Sequence, residues 1–481
     1  MPPALAPETA GSLPSAEARV KPYPGHRLPV YARGMSRARN RTSTDVPGEG
    51  GRLRRAITGP LLYAFILGDV LGAGIYALMG VLSAESGGAL WAPLIAALGM
   101  ALLTAGSYAE LVTKYPRAGG AAVFAERAFR SKLVSFLVGY CMLAAGVVSA
   151  AGLAIAFAGD YLGTLVDLPV IPAAILFLAL IAAVNARGIR ESLSSNLVMT
   201  AIELSGLVIV LVAVAVFMGN GNGDLTRTMQ FPDGVAPATA VLGGAIVAYY
   251  SFVGFETSAN VIEEVTDPRR VYPRALFAAL ITAGAMYVLV GLASSIALSP
   301  EELQDTSGPL LAVVDATGIA VPAWLFSLIA LVAVANGALL TMIMTSRLVY
   351  GMAEQGLLPG VFARILQGRR TPWVAILVTT LVAMGLTLVG DLATLAETVV
   401  LLLLFVFASA NVSVLVLRRD RVDNDHFRVW TIVPVLGVAS CVLLLSQQRA
   451  EVWLFGGVLL VVGGALYAVA RLTSRRRKRA R

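Results

Sequence analysis

From residue 58 onward the chain alternates between long apolar stretches and short polar ones. Each apolar stretch comes near the roughly 20 residues that an α-helix needs to cross a bilayer. By that criterion about twelve spans are expected, at 58–80, 89–112, 133–159, 170–186, 196–218, 238–260, 275–298, 322–349, 373–390, 393–417, 430–447 and 452–471. In lipid, backbone polar groups must be satisfied within the segment, so such a pattern predicts helices and an all-α membrane protein. Residues 1–57 carry scattered Pro, Gly, Ser and Arg and no apolar run. They read as a disordered basic cytoplasmic tail, without the apolar core of a signal peptide.

Composition agrees with the pattern. Of 481 residues 57% are hydrophobic and 14% charged, against roughly 25% charged in soluble proteins. Charge then orients the spans. Of 37 basic residues only Arg227 and Arg449 fall on one side, where Asp160, Asp224, Glu301 and Glu302 also lie; the other 35 fall with the N-terminus. Basic loops stay inside, so both termini are expected in the cytoplasm and the plasma membrane is the expected location. The net charge of +8 is then a matter of topology. The closing "RRRKRAR" of the second tail, 472–481, is read as facing lipid head groups, with no nucleic-acid partner. Cys141 and Cys441 both lie in expected spans, and His26 and His426 lie outside them. No disulfide framework, metal site or cofactor is expected.

Two spans break the rule for a helix in lipid. "LGDVLGAGIY" (67–76) puts Asp69 and the glycines Gly68, Gly72 and Gly74 at mid-span, and "VLGGAIVAYYSFVGFETSANVIEEV" (241–265) puts Gly243, Gly244, Gly254 and Glu256 there. Interrupted helix is tolerated at that depth only where it is buried or lines a cavity. Paired interruptions in corresponding positions point to a transporter of inverted repeats that binds its substrate at the breaks. A half-helix starting after Gly72 presents free amides and a positive dipole end to an anion, and unwound carbonyls near Tyr250 to Val253 suit a cation. Together they describe the two poles of a zwitterion. Close packing through small residues is the competing use of the same glycines.

Four stretches carry a resemblance: "GAGIY" (72–76), "AELVTKYPRAGGAAVFAERAF" (109–129), "FVGFETSANVIEEVTDPRRVYPRAL" (252–276) and "TSRLVYGMAEQGLLPGVFARILQGRRTPWVA" (345–375). In this order the chain resembles the amino acid–polyamine–organocation transporter superfamily over about residues 58–420. The resemblance implies a LeuT-like fold: inverted five-helix repeats at 58–218 and 238–417, discontinuous first and sixth helices, and two peripheral spans at 430–471. It implies an amino acid or related amine as substrate. The amides of Gly72, Ala73, Gly74 and Ile75 would then hold the substrate carboxylate. The carbonyls of Asp69, Val70, Tyr250 and Val253, beside Gly254, would face its ammonium. Tyr250 or Phe252 would cap it, and Asn336 and Thr341 are candidates for side-chain selectivity. Ala73 stands where many members have Ser. Glu203, in "NLVMTAIELSG" (196–206), stands where many have a Lys that replaces sodium.

Asp69, Glu203 and Glu256 are three acids expected at membrane depth, where an ionisable group is a functional hypothesis by default. Taking a carboxyl out of water favours its protonated form, which suits proton coupling. Sodium, held by the same oxygens, is the other coupling ion. Each acid also has a plainer use. Glu203 can be held by Thr200 or Ser205, Glu256 can brace the break, and Asp69 can cap amides or select cationic substrates. On the cytoplasmic side Arg117 is expected to pair with Glu263 or Glu264 as an inner gate. The reading is a secondary active transporter working by alternating access. The alternatives are a cationic amino acid or polyamine exchanger, a sodium-coupled carrier and, from another class, an ion channel. An enzyme is not expected, since no His or catalytic pair lies at depth. The oligomeric state is open.

Overall fold

The structure is a computed structural model that describes residues 57–479 except 117–119, 188–192, 367–370 and 423. The first apolar run becomes two helices, α1 (Gly59–Leu71) and α2 (Ala73–Ser86), whose directions differ by 42° about Gly72. The chain continues through α3 (Trp91–Lys114), α4 (Gly120–Phe129), α5 (Lys132–Ala158), the single turn α6 (Asp160–Gly163), α7 (Val170–Ala186) and α8 (Leu193–Gly219). Next come α9 (Pro237–Ser251), a 3₁₀ helix over Phe255–Glu264, and α10 (Pro268–Ala297). The short α11 (Pro300–Gln304) and α12 (Pro309–Ala316) lead to α13 (Ala323–Glu354), α14 (Trp373–Leu386), α15 (Leu392–Leu417), α16 (Ile432–Ser446) and α17 (Ala450–Arg479). Among the described residues extended backbone pairs only at a parallel bridge between Ile57 and Val265.

Local sequence accounts for many of the ends. Proline opens α1, α9, α10, α11 and α12, where its missing N–H costs nothing and its fixed φ fits the helix. Asp391 starts α15 by accepting from the Thr394 amide at 3.0 Å, and Ser299 with Glu302 forms a capping box on α11.

By length and composition eight helical segments among the described residues are able to cross a membrane, and the bent pair α1–α2 passes the same test together. The shorter apolar helices α7, α14 and α16 occupy three more of the expected spans. Two boundaries differ from expectation. The first span runs to Ser86, past residue 80, because it stops only at Gly87, whose φ of 63° turns its N–H back onto the Ser83 carbonyl at 2.8 Å. The sixth continues as 3₁₀ helix to Glu264.

About two thirds of the apolar window of α9 and of α15 is buried within the protein, against 17% for α17. Leu176 on α7, Val212 on α8, Leu381 on α14 and Val461 on α17 are exposed, the surface a hydrocarbon solvent asks for. Of the glycines expected to unwind the sixth span, Gly243 and Gly244 lie inside unbroken α9. A Cβ on Gly244 would stand 3.0 Å from the Pro93 ring, so that glycine serves close helix packing.

Candidate functional site at the two helix breaks

The two interrupted helices meet. Helix α1 stops at Leu71 and α2 starts at Ala73 with no side-chain cap. The first-turn amides of α2, at Ala73, Gly74 and Ile75, therefore have no partner within their own helix. Helix α9 stops at Ser251, where the Phe252 and Val253 amides fold back onto Tyr249 and Tyr250 carbonyls at 3.0 and 3.1 Å. Gly254 follows at φ +125°, a conformation open to glycine and costly for other residues. Glycine is needed there twice, since a Cβ on Gly254 would lie 2.8 Å from the Asp69 carbonyl oxygen. On the other side a Cβ on Gly74 would lie 2.9 Å from the Ser251 Cα.

Side chains fasten this contact. The Thr257 hydroxyl hydrogen-bonds the Asp69 carboxylate and sits 2.8 Å from the Gly254 carbonyl. Glu256, buried, accepts the Gly254 amide at 3.0 Å. The Tyr287 hydroxyl on α10 donates to the Val70 carbonyl at 2.5 Å and lies 3.1 Å from the Ser251 carbonyl. One side chain thus serves a carbonyl at the end of both half-helices, where the last carbonyls have no partner within their own helix. Nothing in the sequence marks Tyr287 beyond a tyrosine inside an apolar run.

A cavity of about 190 Å³ opens beside the breaks, smaller than the roughly 300 Å³ at which drug-sized pockets begin. Asp69, Val70, Gly72 and Gly74 line it from the first break, and Tyr250, Val253, Gly254, Glu256 and Thr257 from the second. Helix α5 contributes Ser149, α13 contributes Thr341 and Met344, and α15 contributes Val399 and Leu403. Tyr250 is held toward it by a 2.8 Å hydrogen bond with Ser149. The cavity therefore has acids and helix-end amides on one side and aliphatic, thioether and hydroxyl groups on the other.

Several expected residues lie elsewhere. Phe252 is fully buried against Tyr287 and does not line the cavity, which leaves Tyr250 as the aromatic group beside it. The Ile75 side chain is in the core, so only its amide is available. The Val70 carbonyl, expected to face an ammonium, already accepts from Tyr287. Asn336 does not reach the cavity; its amide donates to Glu203 at 3.0 Å. Glu203 is fully buried on α8 behind α2. Its backbone carbonyl accepts from Tyr76 at 2.5 Å, and its carboxylate oxygen Oε2 makes no hydrogen bond among the described residues. Ser205, one of its expected partners, is exposed and bonds its own helix at the Ile202 carbonyl.

The expected inner gate rests on Arg117, which lies outside the described residues. Glu263 and Glu264 are half-buried, and the Glu264 carbonyl accepts the Ile57 amide at 2.9 Å. A different ion pair stands out near that end. Glu110, buried on α3, meets Arg418 beyond α15 at 2.9 Å, and Arg418 also donates to the Val429 carbonyl at 2.7 Å. Beside it Asp420 accepts from Tyr115 at 2.7 Å and Arg127 at 3.2 Å. The Tyr115 hydroxyl first, and the Arg127 charge with it, hold the Asp420 carboxyl below the usual carboxylate range. Glu110 sits inside a quoted motif, and an acid at the end of an apolar helix was the available signal. Among the described residues no group of three His, Cys, Asp or Glu is placed to hold a metal ion.

Comparison with known proteins places this geometry in context. The profile of the amino acid permease family matches residues 60–471. The chain is 30% identical over 437 residues to an uncharacterized transporter of Mycobacterium tuberculosis, covering 90% of this chain and 94% of that protein. It is 28% identical over 415 residues to the vacuolar cationic amino acid transporter 2 of Arabidopsis thaliana, covering 82% of this chain and 65% of the plant protein. It is 25% identical over 424 residues to the methylthioribose transporter of Bacillus subtilis, covering 83% and 90%. The chain thus spans just under two thirds of the length of that plant relative.

Proposed function

The chain belongs to the amino acid permease family, and from that premise we propose that it is a secondary active carrier of an amino acid or related amine. The observation that carries this reading is the meeting of two broken helices at one small cavity. A substrate carboxylate sits at the start of α2, on the amides of Ala73, Gly74 and Ile75, where free N–H groups and the helix dipole favour negative charge. Its ammonium turns toward Asp69 and the Val253 carbonyl, and Tyr250 closes over it. Thr341 and the α15 wall meet the substrate's side chain.

Coupling in this reading belongs to protons. Glu203 holds a buried oxygen without a partner, a costly arrangement for a charged carboxylate and a cheap one for its protonated form. Tyr76, on the half-helix that starts at the first break, donates to the Glu203 carbonyl, so taking up a proton at Glu203 is felt at that break. Glu256 braces the second break by holding Gly254. Sodium at the same oxygens is the competing scheme. A second reading, transport of cationic amino acids or amines, is favoured by Asp69 and Glu256 on the cavity wall and by plant relatives named cationic amino acid transporters.

The bent pair and the three shorter apolar helices complete twelve crossings in this account, with inverted repeats at 58–218 and 238–417 and the last two spans outside them. The arginine asymmetry sets both termini in the cytoplasm of a plasma-membrane protein.

Purified protein in liposomes tests the proposal. Saturable counterflow of a labelled amino acid, driven by a pH jump without sodium, is the expected result. Flux that is electrodiffusive and does not saturate would mean a channel. Saturable uptake that needs sodium and ignores the pH jump would move coupling to that ion.

A further inference from the structure

A second hollow, a groove of about 350 Å³, lies between the first turns of α1 and α10. Gly59, Pro60 and Tyr63 form one wall; Arg270, Arg274 and Ala278 form the other. Their spacing of four places those three on one face of α10, and all three are exposed. The face continues along α10 through Ile281, Ala285 and Leu289, again exposed and now wholly apolar. One stripe therefore passes from two guanidinium groups to hydrocarbon, and its apolar part from Ala278 to Leu289 runs about 17 Å, close to half a bilayer's hydrocarbon core.

The arginines are available. Their neighbour Arg269 is taken by Asp425 at 2.6 Å. Arg270 has only a 4.0 Å contact with Asp267, both exposed, and Arg274 makes no ion pair among the described residues. An exposed pair at that distance is worth little. Neither helix start carries a side-chain cap, at Thr58 for α1 or Asp267 for α10, so two positive dipole ends stand at the groove with the two charges. The Tyr63 hydroxyl, 3.1 Å from Thr282 Oγ1, links the two helices beside the groove.

We propose that this groove binds one anionic phospholipid, its phosphate between Arg270, Arg274 and the start of α1, and an acyl chain along Ala278, Ile281 and Leu289. Basic pockets between membrane helices suit anionic head groups. The apolar continuation of the stripe selects a lipid over a free phosphate. The site also has a place in the fold. The Ile57 amide bonds the Glu264 carbonyl at 2.9 Å, and the Thr266 amide bonds the Ile57 carbonyl at 3.0 Å. The lipid therefore sits where the starts of α1 and α10 are tied to the end of the second broken span.

Native mass spectrometry of the full chain released from bilayers of phosphatidylcholine with phosphatidylglycerol is the test. Retention of phosphatidylglycerol is expected. The double variant Arg270→Gln/Arg274→Gln is expected to weaken it about 30-fold, from the strength of two basic residues at an anionic surface. Ala278→Trp, which fills the groove and keeps both charges, is expected to lose the lipid as well. Arg364→Gln, an exposed arginine elsewhere, is expected to keep it. Equal retention in wild type and the double variant would overturn the proposal. So would displacement of the lipid by glycerol phosphate in solution, which would mean a soluble-anion site. Lipid bound only after residues 1–56 are removed would show the chain's own tail in the groove, and the proposal would fall.

Discussion

The two helix breaks are alike in sequence and unlike in build. The first is a bend of 42° between two α-helices at a single residue, leaving the amides of α2 without partners in their own helix. The second is a tight turn closed on itself. The Phe252 and Val253 amides are used, Gly254 has a left-handed φ, and Glu256 holds the Gly254 amide. One break leaves helix-start amides unspent within its own helix; the other spends its own on shape. The lesson is that a paired interruption need not contribute two equal half-sites. In the carrier proposed above, the first break is the ligand side and the second is the clamp that sets its width.

The comparison can be broken first at the clamp. Gly254→Val places a β-branched side chain at φ +125° and against the Asp69 carbonyl. Strain of about 1–3 kcal/mol, with the collision added, is expected to abolish uptake and lower the thermal midpoint; near-normal uptake would show that the turn is not needed. Next, Gly74→Leu drives into Ser251, and a displacement of that kind is expected to cost about a hundredfold in uptake. Substrate affinity unchanged in that variant would detach the first break from binding. The acids come third. Glu203→Gln and Asp69→Asn are each expected to fold normally and to lose pH-driven uptake in liposomes, while full activity with unchanged pH dependence in both would remove proton coupling.

Smaller effects sharpen the picture. Tyr287→Phe removes the one hydroxyl that serves both half-helices. A loss of about 1–2 kcal/mol in stability is expected by denaturant titration, with a rise in KM that exceeds any fall in kcat. The smallest effect lies far from both breaks, at Asp420. Its carboxyl is held below its ordinary range by Tyr115 and Arg127. Its contribution is therefore present above the unfolded-state pKa and is lost only as pH falls through the lower folded value. The protection factors of the amides at 418–422 and 424–431, with the intrinsic pH dependence of exchange divided out, are expected to stay constant through neutral pH and to fall only in strong acid. A fall in protection already near neutral pH would mean that Asp420 does not hold that segment.

How much of this was legible follows from what each residue signals locally. Glycines and an acid in the middle of an apolar run are improbable unless the helix stops there, so Gly72, Gly74, Asp69, Gly254 and Glu256 were readable as one set. Gly243 and Gly244 carry the same signal and mean something else, because only the positions of Glu85 beside Gly243 and of Pro93 beside Gly244 make them packing residues. Asn336 enters as a selectivity candidate implied by the resemblance and Glu203 as an acid at depth, each by itself. That they bond each other, 133 residues apart, is a fact of helix placement that no local pattern contains. Tyr287 and Ser149 have no signal at all, since a hydroxyl in an apolar helix says nothing about which carbonyl or phenol it will meet.

The parallel bridge at Ile57 and Val265 is the smallest piece of secondary structure among the described residues. It knots the chain ahead of the first half-helix to the end of the second broken span. Tension on the stretch before Ile57 is therefore delivered to the 3₁₀ helix that carries Thr257 and Glu256, like a cord made fast to a hinge pin.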